Sequence, residues 1–351
     1  MLLATIGLKN KLHVEFSRRE EEGLRQFGWF LQLNSWDPSH QPHASSYFVK
    51  SLSLVSVSYR THETVSSLIK NFHSIESLTI SKCNGLRSLQ IDVVSKLQNL
   101  TVLDCPDLKR LHVEAYDLTS FRFRGTFCWF SLEGYQFWED AMLDFRGGPG
   151  YKHYEYKHFC SLLRAIINVK TLTLCEWFFK EIITPWLSST NVNSRFNKLK
   201  DLWWIDTKAA KGNTGTLVSF LRICPSLARL HVTIDPTSYC MARTMGECPQ
   251  EAPKRPRLRR LTVVKLEGFS NEDDVIFLKE HLLEVFNVEP LIITRSSGNN
   301  LRCLLRIPNQ QSNANPKVGI PYRKYSYKFV EEVEDESKHP HMVLNMLNIS
   351  S

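Results

Sequence analysis

The sequence predicts an α/β solenoid, in which short coils stack so that their strands form a parallel sheet on one face, with helices or flat coils on the other. Three observations support this fold class. An apolar triplet with the spacing Leu-x-x-Leu-x-Leu recurs along the chain, and amphipathic helical patterns separate its later copies. The 351 residues would also make a large single compact domain, whereas an elongated repeat array has no such limit on size.

The triplets occur in two groups. Five follow one another at intervals of ten or eleven residues and begin at Ile75, Leu86, Leu97, Leu108 and Leu118. Four later ones begin at Val169, Leu199, Leu227 and Leu258. The second and third apolar residues of each triplet alternate as a half-buried strand requires. This spacing is typical of the strand segment of a leucine-rich repeat (LRR).

The connections between triplets predict two kinds of coil. Apolar residues at i, i+3, i+4 and i+7 predict amphipathic helices over 65–72, 159–166, 179–186 and 217–224. A helix that turns into a strand forms one coil of a solenoid. Eleven residues cannot hold both elements, so residues 75–125 predict flat coils of two triplets each, with strands on both faces. A run of consecutive strands with very short returns is the alternative.

Composition restricts the class of protein. The net charge of +8 is spread along the chain, which can favour an acidic partner but does not indicate nucleic-acid binding. The nine cysteines lie mostly within apolar strands or beside proline, so we expect reduced thiols and a cytoplasmic or nuclear location. We expect no signal peptide and no membrane-spanning helix, because the apolar start is short and no run of about 20 apolar residues follows.

The repeats resemble those of a known plant family. The stretch "NLTVLDCPDLKRLHVEAYDLTSFRFRG" is similar to the repeats of plant F-box/LRR proteins, including Cys105-Pro106 and Phe121-x-Phe123-x-Gly125. The stretch "LRRLTVVKLEGFSNEDDVIFLKEHLLEVFNVEPLIIT" resembles the FBD-type end of that family. The resemblance implies the substrate-recognition subunit of an SCF-type ubiquitin ligase, in which an F-box binds a Skp1-like adaptor and the repeats hold the target.

The same resemblance suggests a division of the chain. We expect residues 1–44 to contain degenerate repeat strands such as "KLHVEF" and "WFLQLN" and no F-box, so adaptor binding is expected only if an F-box is supplied. Residues 45–308 form the solenoid, with 255–308 as the FBD-like unit. Residues 309–351 are expected to be a partly disordered charged tail.

No motif predicts catalysis. Gly147-Gly148-Pro149-Gly150 has a proline within it and no Gly-Lys-Ser/Thr after it, so it predicts a turn rather than a phosphate-binding loop. His339-Pro340-His341 has no evident third ligand. We therefore predict a protein that is not an enzyme, with no catalytic residues, no metal site and no cofactor.

The predicted binding site is the outward face of the strands. Between the inward apolar residues, outward ones form a column of Arg122, Thr173, Trp203, His231 and Thr262, flanked by Arg124, Arg259 and Arg260. An exposed tryptophan among arginines is typical of an interface, and the arginines favour an acidic protein target. The partner-binding candidates are Arg122, Arg124, Trp203, His231, Arg259 and Arg260.

Two alternatives to this function stay open. One is a small-molecule receptor or co-receptor with its ligand in the curve of the solenoid. The other is an LRR scaffold that binds no adaptor and acts outside ubiquitination.

Overall fold

A computed structural model describes residues 2–7, 11–16, 50–56, 75–92, 96–133, 138–149, 159–189, 195–208, 214–238, 258–283, 285–295, 301–308 and 325–331. Fourteen strands in these residues form one sheet. In sheet order they are β1 (Leu2–Gly7), β2 (Lys11–Phe16), β3 (Ser51–Val55), β4 (Ser77–Ser81), β6 (Asn99–Leu103), β8 (Ser120–Phe127), β10 (Asp140–Pro149), β11 (Thr171–Cys175), β12 (Asp201–Asp206), β13 (Arg229–Ile234), β14 (Val263–Glu267), β15 (Leu291–Arg295), β16 (Leu301–Pro308) and β17 (Tyr325–Glu331). Neighbouring strands from β2 to β15 are parallel, and antiparallel pairs close the two ends.

A second sheet confirms the flat coils. It contains β5 (Ser88–Ile91), β7 (Arg110–Glu114) and β9 (Trp129–Glu133), all parallel. These strands alternate in the chain with β4, β6 and β8 of the large sheet. Each turn of the solenoid here therefore has one strand on each side, as the spacing of eleven residues predicted.

The helices lie where the later connections are long. They are α1 (Cys160–Ile166), α2 (Glu176–Phe178), a π-helical turn (Phe179–Ile183) leading into α3 (Thr184–Ser189), α4 (Thr214–Leu221) and α5 (Glu272–Leu282). Three of the four predicted helical patterns thus fall on helices, and the fourth, at 65–72, lies outside the described residues. Asn271 caps α5 by accepting a hydrogen bond from the Asp274 N–H, and three acidic residues in the first turn complement the helix dipole.

The core lies between the sheet and the opposite faces of the coils. The inward residues of the predicted triplets, such as Leu78, Leu111, Leu172 and Leu230, have no solvent exposure and share one apolar cluster. Aromatic rings fill the region where flat coils give way to helical ones, and Phe145 stacks on Phe178 at 5.0 Å. A continuous cluster is expected of a solenoid, because one coil cannot bury its apolar side without neighbours.

A repeated turn holds the flat coils in register. Ser56, Lys82 and Asp104 each follow a strand of the large sheet and have φ between 51° and 57°, and Gly125 occupies the equivalent position in β8 with φ 153°. The N–H of each of the first three donates to a carbonyl of the next coil at 2.7–2.8 Å. At φ 153° Gly125 has a conformation that other residues rarely adopt, so the Phe-x-Phe-x-Gly pattern places glycine where the backbone requires it.

Several expectations need correction. The triplet at Leu258 is out of register, because β14 begins at Val263 and pairs Val264 with Leu230, which makes the true triplet Leu261-x-x-Val264-x-Leu266. The turn expected around Gly147-Gly148-Pro149 is instead part of β10, with an irregularity between Phe145 and Pro149. Residues 325–331, within the expected partly disordered tail of 309–351, form β17. A further correction concerns Trp203 and is given with the site.

Candidate functional site

The outward face of the large sheet consists of side chains that point away from the core. Because the strands are in register, these side chains form straight rows across the coils. The central row contains Thr79, Thr101, Arg122, Met142, Thr173, Trp203, His231, Lys265 and Ile293. Arg122, Thr173, Trp203 and His231 thus lie in one row as predicted, and Lys265 takes the place expected for Thr262.

Arg259 and Arg260 lie off this row. Both precede β14 and are exposed, as is Thr262. Thr262 anchors the segment by donating its N–H to the carbonyl of Ala228 at 2.9 Å. The two arginines therefore border the amino end of the strands rather than extending the row.

The amino-terminal part of the outward face is polar and half-exposed. From β3 to β6 it presents Ser53, Thr79 and Thr101 in successive central positions, each half-buried. Small hydroxyl side chains leave the strands accessible and offer both hydrogen-bond donors and acceptors. This part of the face is open to a macromolecular partner.

The arginines of the face are paired with aspartates. Arg122 Nη2 lies 2.7 Å from Asp140 Oδ2, and Arg124, only 2% exposed, contacts Asp104 with its Nε 3.0 Å from Oδ1. The positive charge of the arginines is thus offset by acidic groups, one of which, Asp140, lies on strand β10, which no triplet predicted. Arg124 is a buried structural residue, whereas Arg122 stays one-third exposed.

Trp203 corrects the expectation of an exposed hot spot. Its side chain points outward but is only 9% exposed, and its ring stacks on His231 with 3.6 Å between centroids and 14° between planes. Burial and, to a smaller extent, the charge of Lys265 lower the pKa of His231 to about 3. The imidazole is therefore neutral at physiological pH, which suits its stack against the indole.

Charged groups continue beside this stack. Lys265 and Glu267 are each 7% exposed, and desolvation lowers the pKa of Lys265 and raises the pKa of Glu267. Glu267 Oε1 lies 3.8 Å from Arg295 Nε in the next strand. The middle of the outward face is thus a closed layer of mutually compensating polar groups rather than an open surface.

A bridge across the sheet closes the same region. Arg146 at the end of β10 contacts Asp144 on one side and Asp235 on the other, each at 2.8 Å, and also contacts Thr237. Asp144 has no solvent exposure. The β10 and β13 strands are three steps apart, about 14 Å at ordinary strand spacing. The long Arg146 side chain and the segment after β13 must therefore reach towards each other over β11 and β12.

The second sheet has its own outward side, here named the back face, formed by β5, β7 and β9. There His112 Nδ1 lies 3.0 Å from Ser131 Oγ, and His112 Nε2 lies 4.0 Å from Asp92 Oδ1. The three residue types match a hydrolase triad. Hydrolysis also needs N–H donors aimed at an oxyanion, whereas sheet amides lie in the sheet plane and bind neighbouring strands. We interpret the group as a cross-strand polar ladder.

A pocket lies at the carboxyl ends of β12 and β13, beside α4 and α5. Its empty volume is about 330 Å³, including open solvent, and its polar lining includes Asp206, Lys208 and Asp274. It is not on the outward face, where a ligand in the curve of the solenoid would bind. This pocket therefore does not support a ligand in the curve of the solenoid.

The described cysteines are all thiols rather than disulfides. Five of the seven are buried, and burial raises the pKa of Cys175 to about 12. Within the described residues no cluster of His, Cys, Asp and Glu could hold a metal ion. No helix in the same part of the chain is long and apolar enough to cross a membrane.

Comparison with known proteins fits this architecture. A family model described as the LRR domain of At1g61320/AtMIF1 matches residues 31–317, which is most of the chain. The chain belongs to this plant LRR family. LRR domains are in general non-catalytic protein-interaction modules, so the outward face is the first place to look for a partner. No curated protein matched the chain.

Proposed function

We propose that this LRR domain recognises a protein target through the outward face of its large sheet, as the substrate-recognition repeats of an SCF-type ubiquitin ligase do. The observation that carries the proposal is the half-exposed polar surface of β3, β4 and β6. Its side chains are in register over successive coils, and a rigid, regularly spaced surface suits a folded partner.

Arg122 and Arg124 differ in what they indicate about the charge of the proposed target. Arg122 keeps one-third of its side chain exposed although it is paired with Asp140. An acidic group on the target could share this guanidinium, whose planar fork binds carboxylate or phosphate oxygens in pairs. The predicted preference for an acidic target therefore rests on Arg122 rather than on Arg124.

A single half-buried position on β6 tests the recognition face. Thr101→Arg places a long charged side chain in the central row of β6 without disturbing the core. We expect this variant to lose most of the partners that proximity labelling assigns to the parent chain, with an unchanged melting temperature. Gln90→Arg, on the exposed back face, is the matched control and should keep them. An identical partner set for Thr101→Arg and the parent would refute the face.

A separate experiment tests the link to ubiquitination. The 351-residue chain should not capture a Skp1-like adaptor, whereas an F-box fused to its N-terminus should restore capture. Partners that depend on Thr101 should then become ubiquitinated in a reconstituted ligase. Capture of the adaptor by the unfused chain would contradict the assignment of residues 1–44. Captured partners that are never ubiquitinated would favour a scaffold that acts outside ubiquitination.

A further inference from the structure

The carboxyl-terminal part of the outward face differs from the rest because its apolar side chains are exposed. Leu291 on β15 is 46% exposed, Leu305 and Ile307 on β16 are 46% and 40% exposed, and Val330 on β17 is 36% exposed. Their immediate neighbours on these strands, such as Ile292 and Leu304, point into the core. Exposed apolar side chains gathered on one sheet face mark an interaction surface more often than scattered ones do.

The opposite side of the same strands is firmly packed, so the exposed residues are not a result of fraying. Arg302 contacts Glu272 of α5 at 2.8 Å and lies over the ring of Phe329. Lys279, which is 1% exposed, contacts Glu289 at 2.6 Å and lies over the ring of Tyr327. The β16–β17 hairpin is thus held to α5 and presents its other side as a fixed surface.

One row of this surface has a cationic side chain at each end. Arg229 pairs in register with Val263, Val263 with Leu291, and Leu305 with Lys328. The antiparallel register of β15 and β16, which pairs Ile293 with Cys303, brings Leu291 beside Leu305. The row therefore runs from arginine through three apolar residues to lysine.

The charge around this row is predominantly positive. Arg229 is paired with Asp201, yet its side chain is 60% exposed, and Lys328 is exposed. Arg259 and Arg260 are exposed at the amino end of β14. The nearby acid Glu289 is engaged by Lys279 and Arg306. Charge complementarity therefore requires acidic residues at the ends of an apolar partner segment.

The spacing of the row selects the form of the partner. Strands about 4.8 Å apart place the three apolar residues at that interval and the two cations about 19 Å apart. Alternate side chains of an extended peptide lie nearly 7 Å apart, whereas one helical turn advances about 5.4 Å. A helix of about 13 residues would span the row, with apolar residues at i, i+3 or i+4, and i+7.

We propose that the outward face of β14–β17 binds a short amphipathic helix of a partner protein, with an apolar stripe over Val263, Leu291 and Leu305 and acidic residues at both ends. This proposal rests on the proposed function, because it gives the chemistry of one partner segment for the same face. A second copy of this chain is less suited, since Lys328 on the last described strand would oppose edge-to-edge pairing.

A designed peptide tests the proposal directly. The probe is a fluorescein-labelled 15-residue helix with leucines at i, i+4 and i+7 and two glutamates at each end. Fluorescence anisotropy measures its binding to the full chain. We expect it to bind at least tenfold more tightly than a peptide of the same composition with its leucines distributed around the helix. Equal binding of the two peptides would overturn the proposal.

Variants locate the binding and separate its charge from its apolar contacts. Leu291→Ser with Leu305→Ser should weaken binding at least tenfold, and Lys328→Glu about fivefold with a smaller dependence on salt. Trp129→Ser removes a side chain of matched exposure, 45%, from the back face and should change nothing. Unaltered binding by the double serine variant would overturn the site. The site would also be overturned if the double serine variant lost a dimer of the chain but kept peptide binding.

Failure here and failure of the proposed function are distinguishable. If the peptide does not bind while Thr101→Arg still removes the labelled partners, only the helix site is wrong. If neither Thr101→Arg nor the double serine variant changes the labelled partners, the outward face is not the recognition surface.

Discussion

Protonation of His231 should destabilise the fold, and this prediction tests the closed middle of the outward face. The ring is 5% exposed, stacks on Trp203 and has its pKa lowered to about 3 by burial and by Lys265. In the unfolded chain the pKa of histidine is about 6.5. Between these two values the unfolded state binds one more proton than the folded state, so stability falls as the pH is lowered.

The size of the effect follows from linkage. The free energy of unfolding should decrease by about 1.4 kcal/mol for each pH unit below 6.5, and the loss would end near the folded pKa of about 3. Glu267 works in the opposite direction, since its pKa is raised by desolvation and its protonation favours the folded state. A variant that lacks only the imidazole separates the two contributions.

The assay compares the parent with His231→Phe, which keeps an aromatic ring against Trp203. Urea unfolding at pH 7.5 and pH 5.5 should show that the stability of the parent relative to the variant drops by about 1.4 kcal/mol at the lower pH. The imidazole resonances of His231, assigned by their loss in the variant, should not titrate between pH 7.5 and 4.5. The closed layer would be refuted if the difference in free energy of unfolding between parent and variant were the same at both pH values. An imidazole that titrates near 6.5 would also refute it.

Two further predictions concern contacts that hold the coils. Arg146→Ala should lower the free energy of unfolding by about 3–5 kcal/mol, because it removes the Arg146 ion pair of the unexposed Asp144. Arg229→Ala breaks a pair whose arginine is exposed, and should cost less than about 1 kcal/mol in the same urea titration. Gly268→Ala should lower the melting temperature by at least several degrees, because φ is +78° and the added Cβ would lie 2.4 Å from the carbonyl oxygen of Ile234; an unchanged melting temperature would contradict that backbone.

Most of the fold could be predicted from local spacing, because inward side chains of a repeat must recur at fixed intervals to share one core. The strand β10 shows where that reasoning stops. Its triplet is Trp138-x-x-Ala141-x-Leu143, in which a small residue replaces the expected leucine. Trp138 lies 4.9 Å from the ring of Phe121 and supplies the missing volume from the preceding turn. Such compensation between neighbouring coils leaves no signal in a single triplet.

The register of β14 could not be decided from the sequence because two triplets overlap there. Leu258 and Leu261 begin patterns three residues apart, and both are apolar throughout. In the structure Leu258 is used elsewhere, since it exchanges backbone hydrogen bonds with Val285 and Asn287. Long-range pairing therefore decided between two locally equivalent strands, and it moved Thr262 out of the row and Lys265 into it.

The direction of the strand side chains could be predicted from the sequence, whereas their accessibility could not. Alternation along a strand shows that Trp203 points away from the core, and the structure agrees. Whether an outward residue is exposed depends on contacts between distant parts of the chain, such as Arg146 with Asp235, which are 89 residues apart. The periodicity of a single strand carries no information on such contacts, so the predicted interface fell on Trp203 and His231, which are buried.

The buried middle of the outward face limits how a target can bind. It divides the accessible outward face into a polar part that ends near β8 and an apolar part that begins near β14, five strand steps or about 24 Å apart. The Arg146 bridge ties β10 to the loop after β13 and resists changes of curvature between these parts. A target that contacts both must therefore match a fixed separation, which a small folded domain can do and a short peptide cannot. Rigid spacing of two modest contact areas would then favour targets of the right size, since a mismatched partner can engage only one of them.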